Sequence, residues 1–206
     1  IYTIPWTTEL TVFRGNKMAQ LSRDQIKEKL QAGESLAGMD LEEADLSYVD
    51  LRGADLRDAQ LQKAHCQNAN LEKADLRGAN LSNIFLFGGN LKNVKLDGAI
   101  LVHANLQDTN LEGASMKGCS MERVSLFGAQ MDNANVEGSD MRRAKLKRAS
   151  LIGANLKNAD LSKAHLQRAV LTSADLSGAL FRGANLLHAD LDKAILTNAD
   201  VEGARK

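Results

Sequence analysis

The chain has 206 residues, with 26 lysines and arginines against 26 aspartates and glutamates, so its formal net charge is zero. This balance disfavours both a strongly basic nucleic-acid-binding protein and a strongly acidic nucleic-acid mimic. Apolar residues make up 44% of the chain, which excludes wholesale disorder, whereas only 4% is aromatic, so the core must consist of small and aliphatic side chains.

Residues 1–20 are predicted to form an N-terminal extended segment, either an added strand or the tail of an upstream domain. The residues that favour extended backbone there are Tyr2, Ile4, Thr11, Val12 and Phe13. This segment lacks a basic start followed by an apolar run, so we expect no signal peptide. No window approaches about 18 consecutive apolar residues, so we expect no membrane span. The chain begins at Ile1 rather than Met, which is compatible with a fragment, a processed product or the ordered part of a longer protein.

A short capping helix is predicted over residues 21–33. Ser22 can cap its N-terminus, Gln25 can complete a capping box, and Leu21 can pack against Ile26 as a hydrophobic staple. Gly33 is a suitable residue to end the helix. Because repeat proteins need covered ends, we expect this helix to cover the first turn of the region that follows.

Residues 34–206 consist of a five-residue repeat. From Leu36 to Val201, all 34 residues whose number ends in 1 or 6 are apolar, and 26 of them are leucine. A small residue recurs with the same period from Met39 to Ala204, and 25 of these 34 positions are alanine. The residue between the small residue and the central leucine is usually Asp or Asn. The unit is therefore A-(D/N)-L-x-x.

This period predicts short strands rather than a helix. Five residues turn a helix by about 500°, so the leucines would be distributed all around its surface. In a strand, Ala and Leu are two residues apart and face one side, whereas the Asp or Asn between them faces the other. Two further outward residues break the alternation, so the chain must bend after each short strand. The repeat thus predicts an all-β solenoid wound around an apolar axis.

An uninterrupted A-(D/N)-L-x-x register resembles the pentapeptide-repeat proteins, and the resemblance covers about residues 36–205. It implies a right-handed quadrilateral β-helix with four units per coil, hence about eight coils for the 34 units. It also implies that the central residue and the small residue before it point inward. No second cap follows Val201, which leaves an end-to-end dimer and a truncated last coil as alternatives.

We expect no enzymatic activity, no cofactor and no metal site. The chain has no Ser-His-Asp set, P-loop or G-x-G-x-x-G motif, and a filled core has no cleft for chemistry. The four histidines are dispersed, and the Asp and Asn residues follow the repeat as turn formers. Cys66 and Cys119 occupy inward positions about 13 Å apart, beyond the roughly 7 Å that a disulfide spans. We interpret them as core residues in a reducing compartment such as the cytoplasm.

The strongest departure from the repeat consensus, at residues 83–89, predicts a partner-binding surface. Two phenylalanines there should point outward, with apolar residues one coil later on the adjoining face. The candidate partner-binding residues are Phe85, Phe87, Ile100, Val102 and Phe127. Exposed apolar patches often mark partner sites. The alternative is that Phe85 or Phe87 folds against a bulged loop.

Charge is uneven along the predicted rod, and this indicates a second candidate surface. Residues 40–58 hold seven acidic and two basic side chains, whereas residues 142–168 hold eight basic and one acidic. The residues of this basic edge are Arg123, Arg142, Arg143, Lys145, Lys147, Arg148, Lys163 and Arg168. Such an edge suits an acidic protein, a phosphate or a nucleic acid, and an ordinary solvated face is the alternative. A nucleic acid is disfavoured because no aromatic platform accompanies the cations.

These features favour a non-enzymatic protein–protein interaction scaffold, built on a rigid rod, whose partner the sequence does not identify. The resemblance implies two alternatives. Some pentapeptide-repeat proteins bind DNA gyrase or topoisomerase as DNA mimics, a role that the zero net charge disfavours. Others are C-terminal substrate-binding modules of BTB-type adaptors or secretion-associated proteins, in which a short helix precedes the first repeat.

Overall fold

The computed structural model describes residues 21–206, and the extended segment predicted over residues 1–20 lies outside the described residues. The described chain begins with one helix, α1 (Arg23–Gln31). After it, the chain coils, and single residues of neighbouring turns pair as parallel β-bridges. Over this range, no helix has the length and apolar character needed to cross a lipid bilayer.

Helix α1 begins with a complete capping box. Ser22 Oγ accepts the Gln25 N–H at 3.3 Å, and Gln25 Oε1 accepts the Ser22 N–H at 2.8 Å. Ile26 is fully buried, and Leu21 and Leu30 are half-buried against the same core. The helix therefore turns its apolar side toward the repeats.

The repeat units stack in a register of twenty residues. Every bridge in residues 21–206 pairs a residue with the one twenty positions later, from Asp40 with Gln60 to Asn185 with Arg205. Four five-residue units therefore make one turn of the chain. The bridging residue is the outward residue between the small and the central residue. Each side of the coil therefore has one bridging residue per turn.

The corners between the sides have left-handed backbone. All 34 residues whose number ends in 3 or 8, from Gly38 to Gly203, have a φ between 52° and 70°, and only 13 of them are glycine. A hydrogen bond closes each typical corner, as from the Ala129 N–H to the Leu126 carbonyl at 3.1 Å. One positive φ at the second corner residue is the geometry of a type II turn. The bend expected after each short strand lies at these corners.

The Asp and Asn residues of the repeat brace the corners. Their side-chain oxygen accepts the backbone N–H two residues further on, as between Asn105 and Gln107 at 3.2 Å and between Asp160 and Ser162 at 2.9 Å. This Asx-turn bond satisfies a donor that the ladder leaves unpaired. It is the turn-forming role that the repeat pattern predicts for these residues.

Central and small residues fill the inside of the coil. Every central residue from Leu41 to Leu186 is buried, including the four methionines and Phe181. At the end of the chain, Leu196 and Val201 are 38% and 39% exposed because no described turn stacks on them. The core is therefore one continuous column of side chains along the stacked turns.

Candidate functional site

Two outward phenylalanines are two residues apart, the first on a side of the coil and the second at the corner that follows it. Phe85 lies between His65 and Asn105 in the parallel ladder, and Phe87 lies at the next corner. Their exposed fractions are 41% and 44%. The backbone keeps its register here, because the Cys66 N–H donates to the Phe85 carbonyl at 2.7 Å. Residues 83–89 therefore form a regular stretch of coil rather than a bulged loop.

A histidine extends this aromatic surface. The His65 ring stacks on the Phe85 ring, with centroids 5.0 Å apart and an interplanar angle of 17°. Gln67 Nε2 lies 3.3 Å from His65 Nδ1 and holds the imidazole in place. We call His65, Phe85 and Phe87 the aromatic patch. His65 was not among the predicted partner-binding residues, although the twenty-residue period places it directly beside Phe85.

The other predicted patch residues lie further apart. Ile100, 39% exposed, belongs to the adjoining side, and the half-buried Val102 lies at the corner between the two sides. Phe127 is half-buried two turns beyond Phe87, with Gln107 at the same position between them. The Gln107 side chain donates to Ser125 Oγ at 3.0 Å, so a polar contact interrupts the apolar surface. The structure thus brings Phe85 and Phe87 together and places Phe127 apart.

The basic edge divides into paired and unpaired cations. Arg142 lies 2.6 Å from Asp140 and 3.7 Å from Glu122, and the hydrogen-bonded Asp140 carboxylate raises the pKa of this guanidinium above its usual range. Arg123 lies 3.7 Å from Glu122. The residues of the edge without an ion pair inside the range 21–206 are Arg143, Lys145, Lys147, Arg148, Lys163 and Arg168.

Part of the basic edge surrounds a groove of about 420 Å³. Its lining residues, which we call the basic groove, are His103, Arg123, Arg143, Lys145, Lys163 and His165. The same corner holds, in successive turns, His103, Arg123, Arg143 and Lys163. On the adjoining side, Lys145 and His165 pair as a β-bridge. Both histidines are dispersed in the sequence and were not predicted as site residues, whereas the twenty-residue register brings them beside the cations.

Apolar side chains and two buried thiols fill most of the inside of the coil. Among residues 21–206, no three His, Cys, Asp or Glu side chains are grouped so as to hold a metal ion. Burial raises the pKa of the Cys66 and Cys119 thiols to about 12. Both thiols stay protonated at neutral pH and are poor nucleophiles and poor metal ligands.

Comparison with known proteins gives matches to a family and to solved structures. A family model described as pentapeptide repeats matches eight copies, over residues 33–60, 54–93, 90–126, 104–143, 129–168, 139–183 and 169–205. A comparison with curated proteins gives no match.

Three solved structures illustrate the likeness. HetL, a pentapeptide repeat protein involved in heterocyst differentiation regulation in the cyanobacterium Nostoc sp. strain PCC 7120, is 29% identical; the match covers 90% of this chain and 97% of that one, with a TM-score of 0.40. A pentapeptide repeat protein of the Arabidopsis thaliana thylakoid lumen is 25% identical over 51% of this chain and 66% of its own, with a TM-score of 0.32. QnrB1, a plasmid-mediated fluoroquinolone resistance protein, is 19% identical over 83% and 88%, with a TM-score of 0.37.

Proposed function

The chain belongs to the pentapeptide-repeat family, whose members form right-handed quadrilateral β-helices, and on this premise we propose that it is a non-enzymatic protein–protein interaction scaffold. The observation that carries the proposal is the aromatic patch. Phe85 and Phe87 are the only large aromatic side chains besides Tyr48 that are clearly exposed between residues 21 and 206. An exposed pair of this kind is costly in water and favourable in an interface.

The patch has the properties of a binding hot spot. Aromatic residues are enriched among the side chains that contribute most to protein–protein affinity. The ladder on both sides of Phe85 fixes the backbone, so a partner needs to order side chains only, which lowers the entropic cost of association. Stacking on His65 further restricts the Phe85 ring. A rigid, preformed aromatic surface therefore supports recognition by a protein partner.

Surface charge favours this role over DNA mimicry. A mimic of a nucleic acid needs an acidic face along the rod, and here the net charge is zero. The basic groove, with four cationic side chains, lies on the turns that follow the patch. We infer that the chain does not act as a nucleic-acid mimic.

For the described residues we also propose a domain organisation of a capping helix over 21–33 and a β-helix of about eight coils over 34–206. The full burial of Ile26 supports the capping role, as does the Arg23 side chain, which donates to the Ser47 carbonyl and lies 3.7 Å from Asp45. These contacts fasten α1 to the first turns.

A further proposed interaction is an end-to-end dimer through the last turn. The backbone N–H groups of Leu191, Leu196 and Val201 have no ladder partner within residues 21–206, and two of these side chains are exposed. An open sheet edge with apolar side chains is a template for pairing with a second copy. Light scattering on wild type and Leu196→Glu tests this: we expect a dimer that the substitution dissociates, and a monomeric wild type would refute the dimer.

A comparative pull-down tests the scaffold proposal. The baits are wild type, Phe85→Ser/Phe87→Ser, and the control Ile152→Ser/Leu187→Ser, whose two side chains are 43% and 45% exposed away from the patch. We expect one protein to be captured from a lysate of the source organism by wild type and control and lost by the patch variant. That protein, purified, should bind wild type directly in calorimetry. Equal capture by all three baits, with matching circular dichroism spectra, would contradict the proposal.

A further inference from the structure

We propose that the basic groove binds a small ligand that carries two or more linked phosphate groups. This site is separate from the aromatic patch, and the proposal does not depend on the scaffold function. Its basis is the convergence of four cations and two imidazoles on one groove of about 420 Å³.

The groove departs from the way cations are held elsewhere on the rod. Arg52, Arg57 and Arg77 each bind the Asp two residues before them, at 2.6–2.7 Å. Other cations pair across turns, as Lys92 does with Glu112 at 2.8 Å and Lys157 with Asp175 at 3.0 Å. In the groove, Arg143, Lys145 and Lys163 have no carboxylate partner within residues 21–206. Their charge is available to a ligand.

The stacking of the turns places these charges close together. Arg123, Arg143 and Lys163 follow each other at one corner, one strand spacing of about 4.7–4.9 Å apart in the backbone. Like charges directly opposite each other in neighbouring strands repel. A multivalent anion between them removes this repulsion and adds attraction, so its binding should also stabilise the fold.

The cationic side chains of the groove offer two kinds of phosphate donor. Arg123 and Arg143 offer planar guanidinium forks that bind phosphate oxygens in pairs, and Lys145 and Lys163 offer compact ammonium charges. His103 and His165 add imidazole N–H donors at the two ends of the groove. Arg123 lies 3.7 Å from Glu122, so three groove cations have no carboxylate partner within residues 21–206. A single carboxylate would neutralise one of these three charges, whereas a di- or triphosphate matches two or more of them.

The size of the cluster favours a small ligand over a nucleic acid. From His103 to Lys163 the corner row covers three turns, about 14–15 Å of the rod. A nucleic-acid track needs a longer basic path and aromatic side chains on which bases stack. The lining of the groove contains no Phe, Tyr or Trp. Its volume is within the range of small-molecule sites, about 300–1,000 Å³.

Calorimetric titration with inorganic triphosphate tests the proposal, using the whole chain at an ionic strength below about 0.1 M. The site variant is Arg143→Asn/Lys163→Asn, since Asn tolerates the left-handed backbone of these residues, whose φ values are 58° and 60°. The control is Lys73→Asn/Lys193→Asn, which removes the same two positive charges at φ values of 59° and 55°, at a corner half a turn away. We expect triphosphate to bind wild type and control alike. The site variant should lose at least about tenfold in affinity, because each charge-assisted hydrogen bond contributes about that factor.

Two further arms identify the source of the phosphates. Titration with ADP that gives an affinity similar to that of triphosphate supports a site for the phosphates alone, and tighter binding of ADP supports a nucleotide. The proposal is overturned if neither ligand binds wild type, or if the site variant binds as tightly as the control. It is also overturned if a single-stranded oligonucleotide binds more tightly than triphosphate with an affinity that grows with its length.

Discussion

Removing one central leucine should destabilise the rod strongly, whereas the same change at an outer position should have little effect. Leu126 is fully buried, between Leu106 and Leu146 in the neighbouring turns. Its N–H donates to the Lys145 carbonyl at 2.9 Å, and the Leu106 N–H donates to the Ser125 carbonyl at 2.8 Å. These ladders hold the backbone on both sides, so the cavity left by Leu126→Ala cannot collapse. Leu→Ala at buried sites costs about 2.7–5.0 kcal/mol, and we expect about 4 kcal/mol here.

Leu187→Ala is the matched control, because Leu187 is an outward residue that is 45% exposed. We expect it to cost less than about 1 kcal/mol. Guanidinium chloride unfolding of wild type and both variants, followed by circular dichroism, gives the two differences in the free energy of unfolding. Equal losses in the two variants, or a loss below about 1 kcal/mol for Leu126→Ala, would refute the reasoning that the inside of the coil is rigidly packed.

Three further predictions concern pH, the thiols and the corners. Bonded arginines lower the pKa of Asp55, Asp75 and Asp140, so these carboxylates contribute stability above their ordinary pKa of 3.8 that is lost as pH falls through their lowered native values. The thermal unfolding midpoint should therefore stay constant from about pH 7 to 5 and fall below about pH 4. The fall should be less steep in Asp75→Asn. A wild-type midpoint at about pH 3 equal to that at about pH 7 would contradict this prediction. Ellman's reagent should label neither thiol in the native chain and both after unfolding in urea, since burial raises both pKa values to about 12, and rapid native labelling would show accessible thiols. Gly118→Ala should lower the free energy of unfolding in urea by about 1 kcal/mol. The cause is the φ of 61° alone, because no atom lies within 4 Å of the added Cβ. Gly118→Asn should cost less, and equal losses in the two variants would argue against backbone strain.

Much of the coil follows from the sequence because each unit repeats one pattern of inward and outward residues. The period places residues such as Leu126 and Ala129 inside, where both are fully buried. The Ser22 and Gln25 pair likewise predicts the start of α1. The corners are harder to predict. Lys63 and Arg143 have left-handed backbone that their residue types disfavour, and the ladder hydrogen bonds of neighbouring turns, with the bond that closes each corner, hold them there.

The two proposed binding surfaces show why a run of basic residues in the sequence does not define a basic surface. Arg142 and Arg143 are adjacent in the chain, yet Arg142 contacts Asp140, Glu122 and Asp160, whereas Arg143 lines the basic groove without a carboxylate partner among residues 21–206. At this corner the first residue, Arg142, contacts carboxylates on the preceding side of the coil, and the second residue, Arg143, lines the groove with Lys145 of the following side. The position of a cation within the five-residue unit, and the residues twenty positions away, therefore decide whether its charge is available to a ligand. His103 and His165 belong to the groove for the same reason, although the stretch rich in basic residues, 142–168, holds only one of them.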